Sequence, residues 1–239
     1  MSLSKIRALT FDTGGTILDW HSGFRDALAT AGGRHGVERD WAMLANELRR
    51  RSLKAMLNQG RDGPPQHNID DAHRFSLDAI LKEEGLEVFD TADRQAIAYD
   101  APHGFTCWPD FPPTLPKLRE RHIVASFTIL SYRLIIDTAR ANGLSWDAVL
   151  SCEGFGVYKL LPAAYARAAH FLQLDPSECL MVACHRFDLD AARDAGYRTA
   201  LVRRPTEWGP EAEANDPKAV EGDYDIVVDD FPALNDALS

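Results

Sequence analysis

The sequence lacks the features that mark zinc-binding, nucleic-acid-binding and membrane-spanning proteins. No two of its four cysteines have Cys-x-x-Cys spacing, and no apolar run approaches the roughly 20 residues of a membrane span. Basic residues cluster only at Arg49-Arg50-Arg51, and the net charge of −10 disfavours a nucleic-acid partner. The first residues also lack the apolar core of a signal peptide. We therefore expect a cytoplasmic protein with free thiols, no membrane or nucleic-acid partner and no structural zinc.

The pattern of apolar runs and helical segments predicts an α/β fold with a parallel sheet. The chain has 239 residues, 45% of them hydrophobic, which suits one domain or a core domain with an insertion. Apolar runs that read as strands alternate with helical patterns, as in a sheet with helices on both faces. The predicted strands are 6–11, 122–127, 148–151, 179–183, 199–202 and 226–228.

A helical insertion is predicted after the first strand. Between residues 20 and 100 the apolar residues recur at helical spacing, and no segment reads convincingly as a strand. We predict a core formed by residues 1–19 and 101–239, with residues 20–100 as a helical cap domain. The polar stretch 205–221 is predicted to be a surface loop.

Asp12 is the most informative single residue. It follows the first predicted strand and opens a turn that contains Gly14 and Gly15. Ligands of open α/β sheets bind beyond the carboxyl ends of strands, where a carboxylate can serve as a nucleophile. An aspartate that only hydrogen-bonds its own turn would give the same local sequence, so this segment alone leaves both readings open.

Three further polar residues, Thr128, Lys159 and Asp188, are predicted at or just beyond strand ends. Each has a simpler explanation: Thr128 as a helix cap, Lys159 as a solvated lysine, and Asp188 as the N-cap of a helix beginning at Leu189. Parallel strands bring such positions to one edge of a sheet. Their joint placement predicts a shared cleft with Asp12.

These residues resemble the motifs of a known family. The segment 12–16, Thr128, Lys159 and the run 183–196 resemble the four motifs of the haloacid dehalogenase superfamily. Asp19-Trp20 and the segment 157–165 resemble its type II L-2-haloacid dehalogenases in particular. The resemblance covers nearly the whole chain and implies a Rossmann-like core with an inserted helical cap.

Two positions separate the branches of this superfamily. Its phosphatases carry a general-acid aspartate where this chain has Gly14, and an acidic magnesium ligand where it has Cys184. A thiol is a poor ligand for magnesium, and phosphoryl transfer depends on such charge stabilisation. The resemblance therefore favours a metal-independent dehalogenase that needs no cofactor.

The resemblance also implies roles for individual residues. Asp12 would displace halide from carbon and form an aspartyl ester that water hydrolyses. Lys159 would neutralise the carboxylates, Asp188 would pair with it, and Thr128 would hydrogen-bond Asp12 or the substrate. Arg49 would accept the halide, although a solvated helix face is the simpler reading of any one of the three arginines. Predicted substrate-binding residues are Thr13, Gly14, Thr16, Ile129, His185 and Phe187.

Departures from the dehalogenase pattern indicate an altered pocket. The pattern usually has an aromatic residue at Gly14, and Ile129 stands where it has a hydrogen-bonding asparagine. His185 could donate a hydrogen bond in place of another asparagine. Two alternatives therefore stay open: a hydrolase of the same superfamily acting on another small substrate such as a phosphate ester, and a catalytically weak binding protein. The resemblance also suggests a homodimer that takes a small anionic substrate.

Overall fold

A six-stranded parallel sheet forms the centre of the structure, a computed structural model that describes residues 3–211 and 221–239. Its strand order is β3-β2-β1-β4-β5-β6, and every neighbouring pair is parallel. The strands are β1 (Ala8–Phe11), β2 (Ile123–Thr128), β3 (Ala148–Ser151), β4 (Cys179–Ala183), β5 (Arg198–Val202) and β6 (Ile226–Val228). The predicted parallel α/β architecture is confirmed, with each predicted strand found to within two residues at either end.

The register of the sheet aligns the ends of its central strands. Phe11 of β1 is paired with Ser126 of β2 and with Val182 of β4. The chain therefore leaves all three strands at nearly the same level. Side chains that follow them meet at the carboxyl edge of the sheet, where ligands bind in such folds.

The chain between β1 and β2 is helical. Asp19 and Asp40 cap the first two helices by accepting hydrogen bonds from the backbone amides of Ser22 and Met43. A π-helical turn spans Ala96–Asp100. The helices are α1 (Trp20–His35), α2 (Trp41–Met56), α3 (Ile69–Glu83), α4 (Thr91–Gln95), α5 (Ala101–His103) and α6 (Phe111–Arg119). Residues 20–100, all of which the structure describes, contain no strand; their status as a separate cap domain stays a prediction.

The later helices follow β2 in the chain and pack against the sheet or against one another. They are α7 (Tyr132–Ala141), α8 (Cys152–Phe155), α9 (Pro162–Phe171), α10 (Arg186–Asp194) and a C-terminal helix, Phe231–Ala237. Helix α10 begins three residues before the predicted start at Leu189, and its N-cap is His185. Asp188 therefore lies inside the first turn, which leaves its side chain free to face the sheet edge. Of the helices in the described ranges, none has the length and apolarity needed to cross a bilayer.

His103 joins the helical segment to the core. Its Nδ1 lies 2.8 Å from Asp137 Oδ2 of α7, and its Nε2 lies 3.3 Å from Asp70 Oδ1 of α3. Ser131, the N-cap of α7, donates a 2.9 Å hydrogen bond to Asp70 Oδ2. This mostly buried network fixes α3 against α7, on the same side of the molecule as the carboxyl edge of β2.

Candidate active site

Asp12, Lys159 and Asp188 form a buried chain of alternating charges. Lys159 Nζ donates to Asp12 Oδ1 at 2.9 Å and to Asp188 Oδ2 at 2.6 Å. Tyr165 completes the chain with a 2.6 Å hydrogen bond to Asp188 Oδ1. The structure thus brings together three of the four residues predicted at strand ends, although they are far apart in sequence. Only Asp12 directly follows a strand; Lys159 lies beyond α8 and Asp188 in the first turn of α10, so their predicted position at strand ends is wrong.

The backbone around Lys159 explains how this lysine reaches the cleft. Tyr158 N donates to Gln59 O at 2.9 Å, and Asn58 N donates to Lys159 O at 3.1 Å, so the segment is held against the end of α2. Leu160 has a φ of 68°, a left-handed conformation that is uncommon for leucine. This turn directs Lys159 inward, where its ammonium lies 4.9 Å from the centre of the Phe127 ring.

Charge pairing keeps the Asp12–Lys159 pair ionised. Burial alone would raise the pKa of Asp12, but the Lys159 ammonium and His185 outweigh it and hold that pKa below its ordinary value. Burial lowers the pKa of Lys159, yet the Asp12 and Asp188 carboxylates raise it overall. The pKa of Asp188 is raised because of its burial and its proximity to Asp12. Asp12 is therefore a carboxylate at neutral pH, as a nucleophile must be.

His185 lies between two carboxylates. Its Nδ1 is 3.2 Å from Asp12 Oδ2 and its Nε2 is 2.9 Å from Glu207 Oε1, which also accepts a 2.8 Å hydrogen bond from Trp20 Nε1. Carboxylate oxygens only accept hydrogen bonds, so this geometry favours a proton on each ring nitrogen. Burial lowers the pKa of His185, but Cys184 and Glu207 raise it well above its usual value. The imidazolium form follows from both observations.

Thr16 is the third donor to the Asp12 carboxylate. Its Oγ1 donates to Asp12 Oδ2 at 2.8 Å and accepts a 3.0 Å hydrogen bond from Cys184 N. Thr16, one of the predicted substrate-binding residues, thus contacts the Asp12 carboxylate, and its role toward a substrate stays a prediction. Phe187, another predicted substrate-binding residue, stacks on the His185 ring with a centroid distance of 5.1 Å.

Glu207 is the site residue that the sequence-based reasoning missed. The stretch 205–221 was predicted as a surface loop, yet Glu207 is only 5% exposed; residues 212–220 lie outside the described part of the chain. Gly15 makes room for this carboxylate: it has a φ of 96°, and a Cβ there would lie 2.0 Å from Glu207 Oε1. A single glutamate in a polar stretch forms no periodic pattern of hydrophobic and polar residues. Its burial depends on contacts with residues that are distant in sequence, so it could not be predicted.

Of the three consecutive arginines, Arg49 reaches the cleft. It is 4% exposed, donates a 3.0 Å hydrogen bond to Gly14 O, and lies 5.4 Å from the Trp20 ring centre. Its Nε is buried and has no hydrogen-bond partner among the described residues. Arg50 pairs instead with Glu211, and the guanidinium of Arg51 lies against two other glutamates, Glu47 and Glu83.

A small cavity lies next to Asp12. Its volume of about 10 Å³ is roughly the room that one water molecule needs. Lining residues are Asp12, Gly14, Arg49, Leu53, Leu57, Ile129, Leu130, Lys159, His185, Phe187 and Asp188.

A hydrogen bond joins Thr13 and Thr128, the residues that precede the cavity-lining Gly14 and Ile129. Thr13 Oγ1 donates a 2.7 Å hydrogen bond to Thr128 Oγ1, which also accepts one of 3.1 Å from Leu130 N. Thr128 thus contacts Thr13 and Leu130 rather than Asp12. It fixes the turn that carries Ile129 and Leu130 into the cavity wall.

One group of side chains in residues 3–211 and 221–239 has the spacing of metal ligands. Ligand atoms of Cys184, His185 and Glu207 lie within 4.8 Å of one another. Burial raises the pKa of the Cys184 thiol, and the His185 Nε2 proton already contacts Glu207. Both protons would have to leave before a metal could bind. A thiol and an imidazole also fit magnesium poorly.

Comparison with known proteins relates the chain to hydrolases. The profile of the haloacid dehalogenase-like hydrolase family matches residues 6–196. The (S)-2-haloacid dehalogenase 4A of Burkholderia cepacia is 27% identical over 208 residues, which cover 84% of this chain and 85% of that protein. A crystal structure of an L-2-haloacid dehalogenase is 34% identical with a TM-score of 0.87, covering 98% of this chain and 100% of the other. A defluorinating L-2-haloacid dehalogenase is also 34% identical, with a TM-score of 0.88 and coverage of 98% and 95%.

Proposed function

Because the chain belongs to the haloacid dehalogenase-like hydrolase family, we propose that it hydrolyses the carbon–halogen bond of short 2-haloacids. The reaction would proceed through an aspartyl ester on Asp12 and without a metal ion. The observation that carries this proposal is an ionised Asp12 carboxylate, held by Lys159 and Thr16 beside a small cavity that Arg49 lines.

The first half-reaction is a displacement at carbon. An Asp12 oxygen forms a bond to C2 of the acid, and the carbon–halogen bond breaks with its electron pair leaving on the halide. Halide needs no proton to leave, which fits a site where Gly14 occupies the place of a general acid. Arg49, whose Nε is unpartnered among the described residues, is suited to accept the anion.

The second half-reaction regenerates the carboxylate. Water adds to Asp12 Cγ, the bond between Cγ and the alkylated oxygen breaks, and the 2-hydroxyacid leaves. One water proton ends on the product hydroxyl, and the other is released when Asp12 ionises. The product oxygen therefore comes from Asp12, and the oxygen of water enters Asp12.

Helix α2 supports the cap prediction. It supplies Arg49 and Leu53 to the cavity, while the core supplies Asp12 and Lys159. We infer that residues 20–100 act as a cap that closes the cavity over a small acid.

The proposal is tested by halide release from chloroacetate, fluoroacetate and 2-chloropropionate with EDTA present. Fluoroacetate belongs in the set because the name of one similar protein describes it as defluorinating. Asp12→Asn keeps the shape of the side chain and removes the nucleophile. Release that survives EDTA and disappears in Asp12→Asn supports the proposal, whereas release that requires added magnesium contradicts it.

Isotope labelling tests the ester separately. In a single turnover in ¹⁸O-water with enzyme in excess, the label is expected in the peptide that contains Asp12. Direct attack of water on C2 would place the label in the hydroxyacid instead. Phosphatase activity with magnesium on small phosphate esters, without halide release, would favour the alternative hydrolase.

A further inference from the structure

The two oxygens of Asp12 have different surroundings. Oδ2 accepts a hydrogen bond from Thr16 and faces His185 Nδ1, while Oδ1 accepts one from Lys159. An oxygen with fewer donors keeps a lone pair for attack on carbon. On this reasoning Oδ1 becomes alkylated, and Oδ2 becomes the carbonyl oxygen of the ester.

Hydrolysis of that ester places negative charge on Oδ2. When water adds to Cγ, the carbonyl electron pair moves to Oδ2, where Thr16 Oγ1 lies at 2.8 Å and His185 Nδ1 at 3.2 Å. These are close to the distances at which paired donors stabilise a tetrahedral oxyanion. His185 contributes most as a cation, since charged donors make stronger hydrogen bonds.

Alkylation of Asp12 removes one of the two negative charges that stabilise the imidazolium form of His185. In the free enzyme two carboxylates, Asp12 and Glu207, face its two ring nitrogens. Esterification removes the charge on Asp12 at the point where the imidazolium is needed. Of the two carboxylates paired with the ring, Glu207 alone then remains to hold the second proton on it.

We propose that Glu207 is a positioning residue for ester hydrolysis: its Oε1, 2.9 Å from His185 Nε2, orients the ring so that Nδ1–H points at Asp12 Oδ2, where the oxyanion forms. This inference rests on the proposed function and deepens it. Glu207 is itself fixed by the hydrogen bond from Trp20. It acts through His185 and touches no reacting atom.

The charges around His185 determine how it titrates. The Asp12 carboxylate faces it from the end of β1 and the Glu207 carboxylate from the loop after β5, while Cys184, at the end of β4, is a buried thiol whose pKa is raised by burial. Arg49 of α2 acts electrostatically on both Asp12 and Glu207. Loss of the Glu207 charge therefore lowers the pKa of His185, most strongly in the esterified enzyme.

The test separates the two half-reactions in Glu207→Gln by rapid mixing with chloroacetate. The first burst of chloride is expected to stay within about threefold of wild type, while ester hydrolysis slows by about tenfold or more. This is less than the cost of about 10² to 10³ for removing an oxyanion donor outright, because His185 remains in place. Ester should accumulate on Asp12 and appear in the intact mass. In wild type the hydrolysis rate falls as pH rises through the pKa of His185, and in Glu207→Gln this fall should move to lower pH.

Two further variants make the result decisive. Glu211→Gln alters a glutamate four residues along, which contacts Asn46 and Arg50 and does not touch His185; it should leave the pH profile unchanged. His185→Asn keeps a neutral donor that does not titrate, so the alkaline fall should vanish. It also carries the test if Glu207→Gln does not fold.

Equal slowing of both half-reactions in Glu207→Gln, or an unmoved pH profile, would overturn the role of Glu207. Chloride release and ester formation by wild type would still leave the proposed function standing in that case. If wild type forms no ester on Asp12, the proposed function fails and the role of Glu207 fails with it.

Discussion

Arg49 occupies the space that a side chain at Gly14 would need. Its Nη2 donates to Gly14 O at 3.0 Å, and a Cβ built on Gly14 would also lie 3.0 Å from Nη2. The dehalogenase pattern that the chain resembles usually has an aromatic residue at this position. The absence of a side chain at Gly14 is therefore what leaves room for the Arg49 guanidinium.

Gly14→Phe should displace Arg49 and lower kcat/KM for chloroacetate by about 10²-fold, comparable to the loss of one charge-stabilising contact. Gly14→Ala requires a movement of only a few tenths of an ångström at the end of a flexible side chain, so its loss should be several-fold smaller. Steady-state kinetics on both variants test whether Gly14→Phe lowers kcat/KM more than Gly14→Ala does. An equal effect of alanine and phenylalanine would contradict the steric explanation.

Arg49→Gln should lower kcat/KM for chloroacetate by about 10² to 10³. The buried guanidinium lines the cavity, and its removal leaves the departing halide without a cation. Arg51→Gln is the matched control, because Arg51 pairs with surface glutamates and should keep nearly full activity. Comparable losses in the two variants would disprove the assignment of Arg49.

His103 should stabilise the fold more at acidic than at alkaline pH. Burial lowers its pKa, but Asp70 and Asp137 outweigh burial and raise it above the ordinary value of 6.5. The stabilisation is therefore fully present below about pH 6.5, the unfolded value, and is lost as pH rises through the folded pKa.

His103→Gln tests this dependence. It should lower the free energy of unfolding by roughly 2 kcal/mol at pH 5.5, the scale of hydrogen bonds between charged groups, and by less at pH 9. Urea unfolding at both pH values measures the difference. A destabilisation that is the same at both would mean that the imidazolium charge contributes nothing.

Zinc should inhibit the enzyme, and magnesium should not. Cys184, His185 and Glu207 offer soft and borderline ligand atoms within 4.8 Å of one another, but the thiol and imidazolium must first lose protons. Inhibition should therefore strengthen as pH rises and be reversed by EDTA. Cys184→Ser should weaken it; unchanged inhibition in that variant would place the zinc elsewhere.

The part of the site that follows the sheet could be predicted from sequence. Asp12 directly follows β1, and parallel strands bring such residues to one edge. Asp188 reaches that edge from the first turn of α10, and Lys159 reaches it from the segment after α8 rather than from a strand end. The start of α10 was placed too late because Arg186 and Phe187 do not look like a helical first turn. That error made the N-cap reading of Asp188 plausible.

Residues whose placement depends on tertiary contacts could not be predicted. Glu207 is buried because Trp20 and His185 bond it, and neither contact leaves a local pattern. The choice of Arg49 over Arg50 depends on how α2 is rotated about its axis. Successive helical residues differ by about 100° in direction, so that rotation decides which arginine enters the cavity.

The placement of Glu207 has a consequence for biosynthesis. Asp12 directly follows β1, which is synthesised before the other five strands of the sheet, whereas the carboxylate that faces its neighbour His185 comes from the loop after β5. A nascent chain that ends before this loop has Asp12 but lacks the carboxylate that holds His185 charged once an ester has formed. On the proposed mechanism, hydrolysis of an ester on Asp12 therefore requires that β5 and the loop after it have been synthesised and folded.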